Sequence, residues 1–125
     1  MITPLYAAVL ALIYTFLSVR TLRLRRMKKV IVGDSDDIEL TRAVRAHSNF
    51  AEYTPIAIIL IYLLEVQGQS TVIIHALGVA LVLGRIIHAW GISQVQENIR
   101  FRVAGMALTL ACIISASLRL LLSYL

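Results

Sequence analysis

The chain is poor in the residues that most soluble chemistry needs. Its 125 residues hold one cysteine, two prolines and seven acidic side chains, and only 15% of positions are charged. A single cysteine, Cys112, excludes an internal disulfide framework and a Cys-x-x-Cys metal site. Because Cys112 lies in an apolar run, it reads as a small buried apolar residue. No nucleotide-binding, zinc-protease or hydrolase fingerprint occurs anywhere. Internal repeats, linkers and low-complexity tracts are missing as well. The opening Met-Ile-Thr-Pro has neither a basic leader region nor a small-residue cleavage pattern, so the first apolar span is expected to be retained.

Hydrophobicity is what the chain has in excess. Hydrophobic residues make up 59% of it and the mean hydropathy is +0.83. A single small domain cannot hide that much apolar surface from water. The chain is therefore expected to be an all-α integral membrane protein of one domain, residues 1–125. A bilayer core of roughly 30 Å takes about 17 to 25 helical residues to cross. Four stretches qualify, at about 3–19, 51–66, 71–91 and 103–125. Short connections favour antiparallel neighbours, hence an up-down four-transmembrane-helix bundle.

Charge gives the orientation. The net charge of +5 comes from arginines and lysines set beside apolar spans and without aromatic partners around them, so anionic lipid headgroups are the expected contact and nucleic acid is not. Segment 20–45 holds eight basic residues and segment 92–102 holds Arg100 and Arg102, while the connection between the second and third spans holds none. The positive-inside rule puts both basic connections in the cytoplasm and both termini on the opposite face. Arg119 departs from this pattern, but it is close enough to the C-terminus to snorkel outward. Asp36, with Glu39 three residues on, resembles a capping box, which starts the second helix well before its apolar part. The acidic cluster around it reads as caps rather than as a cation site, because it lacks an EF-hand's alternation. Pro4 suits the first turn of a helix, and Pro55 falls inside one, which lipid-embedded helices tolerate. Gly78, Gly84, Gly91 and Gly105 are expected to allow close helix packing.

The densest polar stretch is Arg42-Ala-Val-Arg45-Ala-His47-Ser-Asn49-Phe-Ala-Glu52-Tyr53-Thr-Pro55, which runs straight into the second span. Helical spacing aligns Arg42, Arg45, Asn49, Glu52 and Tyr53 as one stripe. A charge at mid-bilayer costs about 2.5 to 3.5 kcal/mol on the gentler insertion scale. Arg45 and Glu52 are seven residues, roughly 10 Å, apart along a helix, too far to neutralise each other. Each needs a charge on another helix, another subunit or a ligand. Arginine grips a carboxylate, glutamate accepts from an ammonium and asparagine does both, so the array suits a small ligand with separated charges, such as glutathione. It equally suits ion pairs that tie the bundle's ends together. A proton-coupled exporter is disfavoured, since Glu52 and Glu65 lie at the ends of their span rather than deep within it.

The run Arg45-x-x-x-Asn49-x-x-Glu52-Tyr53, at the mouth of the second of four spans, resembles the signature of the MAPEG family, membrane-associated proteins in eicosanoid and glutathione metabolism. The span order matches over nearly the whole chain, and the compact form resembles that family's YecN-like bacterial branch. The resemblance implies a homotrimer in a bacterial cytoplasmic (inner) membrane, with glutathione bound as co-substrate between subunits near the cytoplasmic face. Arg45, Asn49, Glu52 and Tyr53 would be its contacts. It also implies that an arginine opening the fourth helix stabilises the glutathione thiolate during attack on a lipophilic small-molecule electrophile. Arg100 and Arg102 both match, and Arg100 is preferred. Eukaryotic members often carry tyrosines late in the third helix; here His88 and Ile92 stand there, and His88 can donate a hydrogen bond in a tyrosine's place. His47 and His75 fall outside the stripe and are expected to make interhelical contacts. Some members bind ligands without chemistry, so a noncatalytic binding or scaffold trimer is the alternative function.

Overall fold

The computed structural model describes residues 1–125. Four helices fill it: α1 (Thr3–Lys28), α2 (Ile38–Val66), α3 (Thr71–Ser93) and α4 (Ile99–Leu122). All four are long and apolar enough to cross a membrane. Leu12, Leu22, Val72 and Leu118 are among the many large apolar side chains left on the outside, as expected of walls that face acyl chains. The chain is an integral membrane protein.

The helices overrun their apolar cores. α1 continues through the basic run to Lys28, where Lys29 turns left-handed at φ 55° and the Val30 N–H donates to the Arg25 carbonyl at 3.0 Å. That is a Schellman ending, and it uses up carbonyls the last turn would leave bare. The start of α2 falls one residue later than the sequence suggested. Asp36 sits at φ 56° and belongs to the turn, so Asp37 is the cap and its Oδ1 accepts the Leu40 N–H at 2.9 Å. Glu39 does not complete a capping box. It turns instead to Lys28 at 3.2 Å, and Asp37 Oδ2 meets the same ammonium at 2.6 Å. Asp34 accepts from the Thr41 hydroxyl at 2.7 Å, and that bond holds its carboxyl below the usual range. The acidic cluster therefore caps and staples the α1–α2 connection.

At the other end Glu65 makes a contact that no local pattern marks. Its carboxylate accepts the Ile2 N–H and, at 2.8 Å, the Thr3 N–H, capping α1 from the far end of α2. The Gln67 side chain bonds both Tyr124 and Ser123, so the two termini and the α2–α3 connection gather at one end. The α1–α2 and α3–α4 connections gather at the other, where Arg42 pairs with Glu97 at 3.3 Å. This is the expected up-down bundle.

Its core runs through Leu10, Phe50, Ile61, Leu81, Cys112 and Ala116. Cys112 is buried as expected, with its thiol 3.5 Å from the Leu77 carbonyl. Glycine sets the closest approach, between α3 and α4. A Cβ on Gly105 would fall 2.4 Å from the His88 nitrogen and 2.6 Å from the Gly84 carbonyl oxygen. Backbone lies against backbone there, and no larger residue fits. His47 and His75 make interhelical contacts: the first bonds Ser18 at 3.0 Å and stacks on Tyr14, the second bonds the Tyr6 hydroxyl at 2.7 Å.

Candidate functional site

At the end of the bundle where the basic connections lie, α2, α3 and α4 diverge around an open cavity of about 470 Å³. α2 passes this level as continuous helix, so residues spaced three, four and seven apart project on one side. Arg42, Arg45, Asn49 and Glu52 line the cavity from α2; His88 and Ile92 line it from α3, Arg102 and Met106 from α4, and Glu97 from the connection between them. Five residues singled out from sequence, Arg45, Asn49, Glu52, His88 and Arg102, thus meet in one space. Two others do not line it. Tyr53 turns toward α3, with its ring under the Arg85 guanidinium at 5.7 Å. Arg100 lies in the exposed first turn of α4, where its backbone N–H donates to the capping Asn98 side chain at 3.1 Å. The chain therefore offers Arg102, not the preferred Arg100, to this cavity.

The charges fall into two sets. Arg42 and Arg102 both close on Glu97, at 3.3 and 3.0 Å, and Arg42 also donates to the Ile92 carbonyl at 3.3 Å. Burial alone would push the Glu97 carboxyl up, but the bonds from Arg102 and Arg42 outweigh it and hold the group below the ordinary carboxylate range. Arg45 and Glu52 form the second set. Neither has an ion-pair partner within the chain. Both are exposed to the cavity. A guanidinium and a carboxylate, about two helical turns apart on one face, are left open to a ligand of opposite polarity.

Behind this wall stands a residue to which the sequence analysis assigned no role. Arg85, in α3, is 1% exposed. Its Nε donates to the Thr109 hydroxyl at 2.9 Å and its Nη1 to Asn49 Oδ1 at 2.9 Å. No carboxylate faces it. Two of its nitrogens rest on neutral oxygens instead, and the buried Nη2 has no partner. With Oδ1 committed to Arg85, Asn49 has only its NH₂ to present to the cavity, so it selects an acceptor in any ligand. Glu97 was missed too, and no local motif marks it. The available signal was electrostatic: an arginine entering a membrane segment requires an anion nearby, and the short loop before α4 carries just one.

Comparisons with known proteins agree with this picture. A family model described as the MAPEG family matches residues 3–122. The chain is 38% identical over 109 residues to the inner membrane protein YecN of Escherichia coli K12, an overlap covering 87% of this chain and 82% of the relative. The YecN protein of Escherichia coli O6:H1 matches to the same extent. With four spans in the expected order, and the arginine, asparagine and glutamate of the second span converging on one cavity, the match extends over almost the full length, and the chain belongs to the MAPEG family.

Proposed function

We propose that this membrane protein binds glutathione in the cavity at its basic end and transfers it to lipophilic electrophiles that arrive from the bilayer. The observation that carries the proposal is the unpartnered Arg45 and Glu52 on one wall of a 470 Å³ cavity, with the Asn49 amide between them. Pockets of about 300 to 1,000 Å³ suit small ligands. Glutathione offers a carboxylate for Arg45, an ammonium for Glu52 and carbonyl acceptors for Asn49. A free thiol titrates near 8.5, and a fixed cation beside it raises the thiolate fraction at neutral pH. Arg102, from within the cavity, and Arg100, toward a neighbouring subunit, are the proposed cations. In conjugation the thiolate forms a carbon–sulfur bond, a halide leaves with its bonding pair, and the thiol proton passes to water. The assembly proposed is a homotrimer in an inner membrane, the location named for the YecN relative.

The test uses the full chain purified in detergent. Glutathione is expected to raise its melting temperature, and Arg45→Ala to weaken binding by roughly 10- to 100-fold, the worth of charge-assisted hydrogen bonds. Conjugation of a chloronitroaromatic is expected to fall in Arg102→Ala or Arg100→Ala; activity unchanged in both removes those residues from the chemistry. A second reading, a noncatalytic binding trimer, is favoured by one observation. Glu97 already neutralises much of the Arg102 charge. That reading expects calorimetric binding of glutathione without turnover.

A further inference from the structure

On the side of the bundle away from the polar cavity, α1 and α3 part to leave a groove of about 560 Å³. Leu12, Ile13, Phe16, Ile86 and Trp90 form its apolar walls, and Arg20, Ser93 and Gln94 close its end at the basic face of the molecule. Arg20 has no carboxylate partner. One of its donors, Nη1, is fixed on the Ser93 hydroxyl at 2.6 Å; that hydroxyl in turn donates to the Ala89 carbonyl. The remaining guanidinium donors are uncommitted. Gln94 is tied through its amide nitrogen to the Trp90 carbonyl at 3.2 Å.

Arg20 also borders a shallower depression with Phe16, Val19, Arg23, Leu24 and Glu39. Glu39, the acidic group there, is drawn to Lys28. Two arginines one turn apart thus stand at headgroup level with no anion of their own. Below them lies an apolar channel, with Leu12 eight residues, about 12 Å, from Arg20 along α1. A head of negative charge on an acyl tail fits both parts.

We infer that the α1–α3 groove is a binding site for an anionic phospholipid, whose phosphate sits on Arg20 and Arg23 and whose acyl chain lies along Phe16, Ile13 and Trp90. The site is independent of the glutathione reading. It also has its own reporter, because Trp90 is the chain's one tryptophan and is 52% exposed beside the groove.

The full chain is reconstituted in phosphatidylcholine vesicles containing a few mole per cent of phosphatidylglycerol brominated on its acyl chains, and Trp90 fluorescence is read. Each headgroup-level arginine favours an anionic lipid by roughly fivefold. Quenching by brominated phosphatidylglycerol is therefore expected to exceed that by brominated phosphatidylcholine, at equal mole fraction, by about 5- to 25-fold in effective affinity. Arg20→Gln is expected to lose about fivefold of that preference, and Arg20→Lys to keep most of it. Should Arg20→Gln fail to fold, Arg23→Gln tests the same term from the exposed side and is expected to lose a similar share. Equal quenching by the two lipids overturns the inference, as does a preference that survives loss of the arginine charge. A Trp90 that neither lipid quenches also overturns it, because the groove is then covered by a second copy of the chain.

Discussion

The Arg85–Asn49 bond decides which end of one amide a ligand meets. With Oδ1 accepting from a guanidinium buried behind it, Asn49 turns its NH₂ to the cavity. Asn49→Asp keeps the acceptor and puts a full negative charge on Arg85, while deleting the donor that faces the ligand. Stability and binding should then separate. The variant's melting temperature is expected to hold or rise, and glutathione affinity by calorimetry to drop by about tenfold or more, since one hydrogen bond is lost and a carboxylate is repelled. The sequence displayed Arg85 and His88 a turn apart, but not which way they faced. That depends on the rotation of α3 about its axis, which is set by Gly84 meeting Gly105 across the helix contact. The rule that an arginine in a membrane span faces the bundle interior would have turned Arg85 inward, and the α2 stripe is the polar surface available there.

At the scale of the elements, two devices hold the cavity open: the α3–α4 glycine contact, and the bridge from α2 through Glu97 to α4. Gly105→Ala would force α3 and α4 apart by placing a methyl within 2.4 Å of the His88 nitrogen. Overpacking of this kind costs about 1 to 3 kcal/mol, to be read as a lowered melting temperature in detergent. The cavity's lower wall should loosen with it, since His88 lies at the contact. The Glu97 bridge predicts a pH effect of defined sign. Its folded-state carboxyl titrates below the unfolded value, so its contribution is complete above pH ~4.5 and disappears as pH falls through the lower folded value. Melting curves of wild type and Glu97→Gln are thus expected to differ by a constant amount from pH 5 to 8 and to converge in acid. Element positions were legible where hydropathy or capping chemistry marked them. The four spans, the backward extension of α2 and the glycine contacts all followed from local pattern. The start of α2 moved from Asp36 to Asp37 because a left-handed turn precedes it, and backbone dihedrals of that kind leave little trace among consecutive aspartates.

For the molecule as a whole, the sequence carried topology more clearly than it carried long-range pairing. Arginine and lysine counts placed the α1–α2 and α3–α4 connections together, and the structure gathers them at one end. Because Cys112 is buried, single cysteines introduced into the natural chain can be read directly. In intact cells a membrane-impermeant maleimide should label Ser70→Cys, while Ile31→Cys should react only after permeabilisation. The reverse pattern would invert the orientation. The contacts that join distant parts of the chain, Glu65 to the start of α1 and Glu97 to Arg42, were illegible because each partner is ordinary in its own neighbourhood.

The Glu65 cap bears on how the protein is made. The acid travels at the trailing end of the second span and comes to rest on the opening amides of the first. Once the ribosome has released the chain a little past Gly68, both halves of that clasp exist, and the first two spans can fasten to each other during insertion before the third has been synthesised.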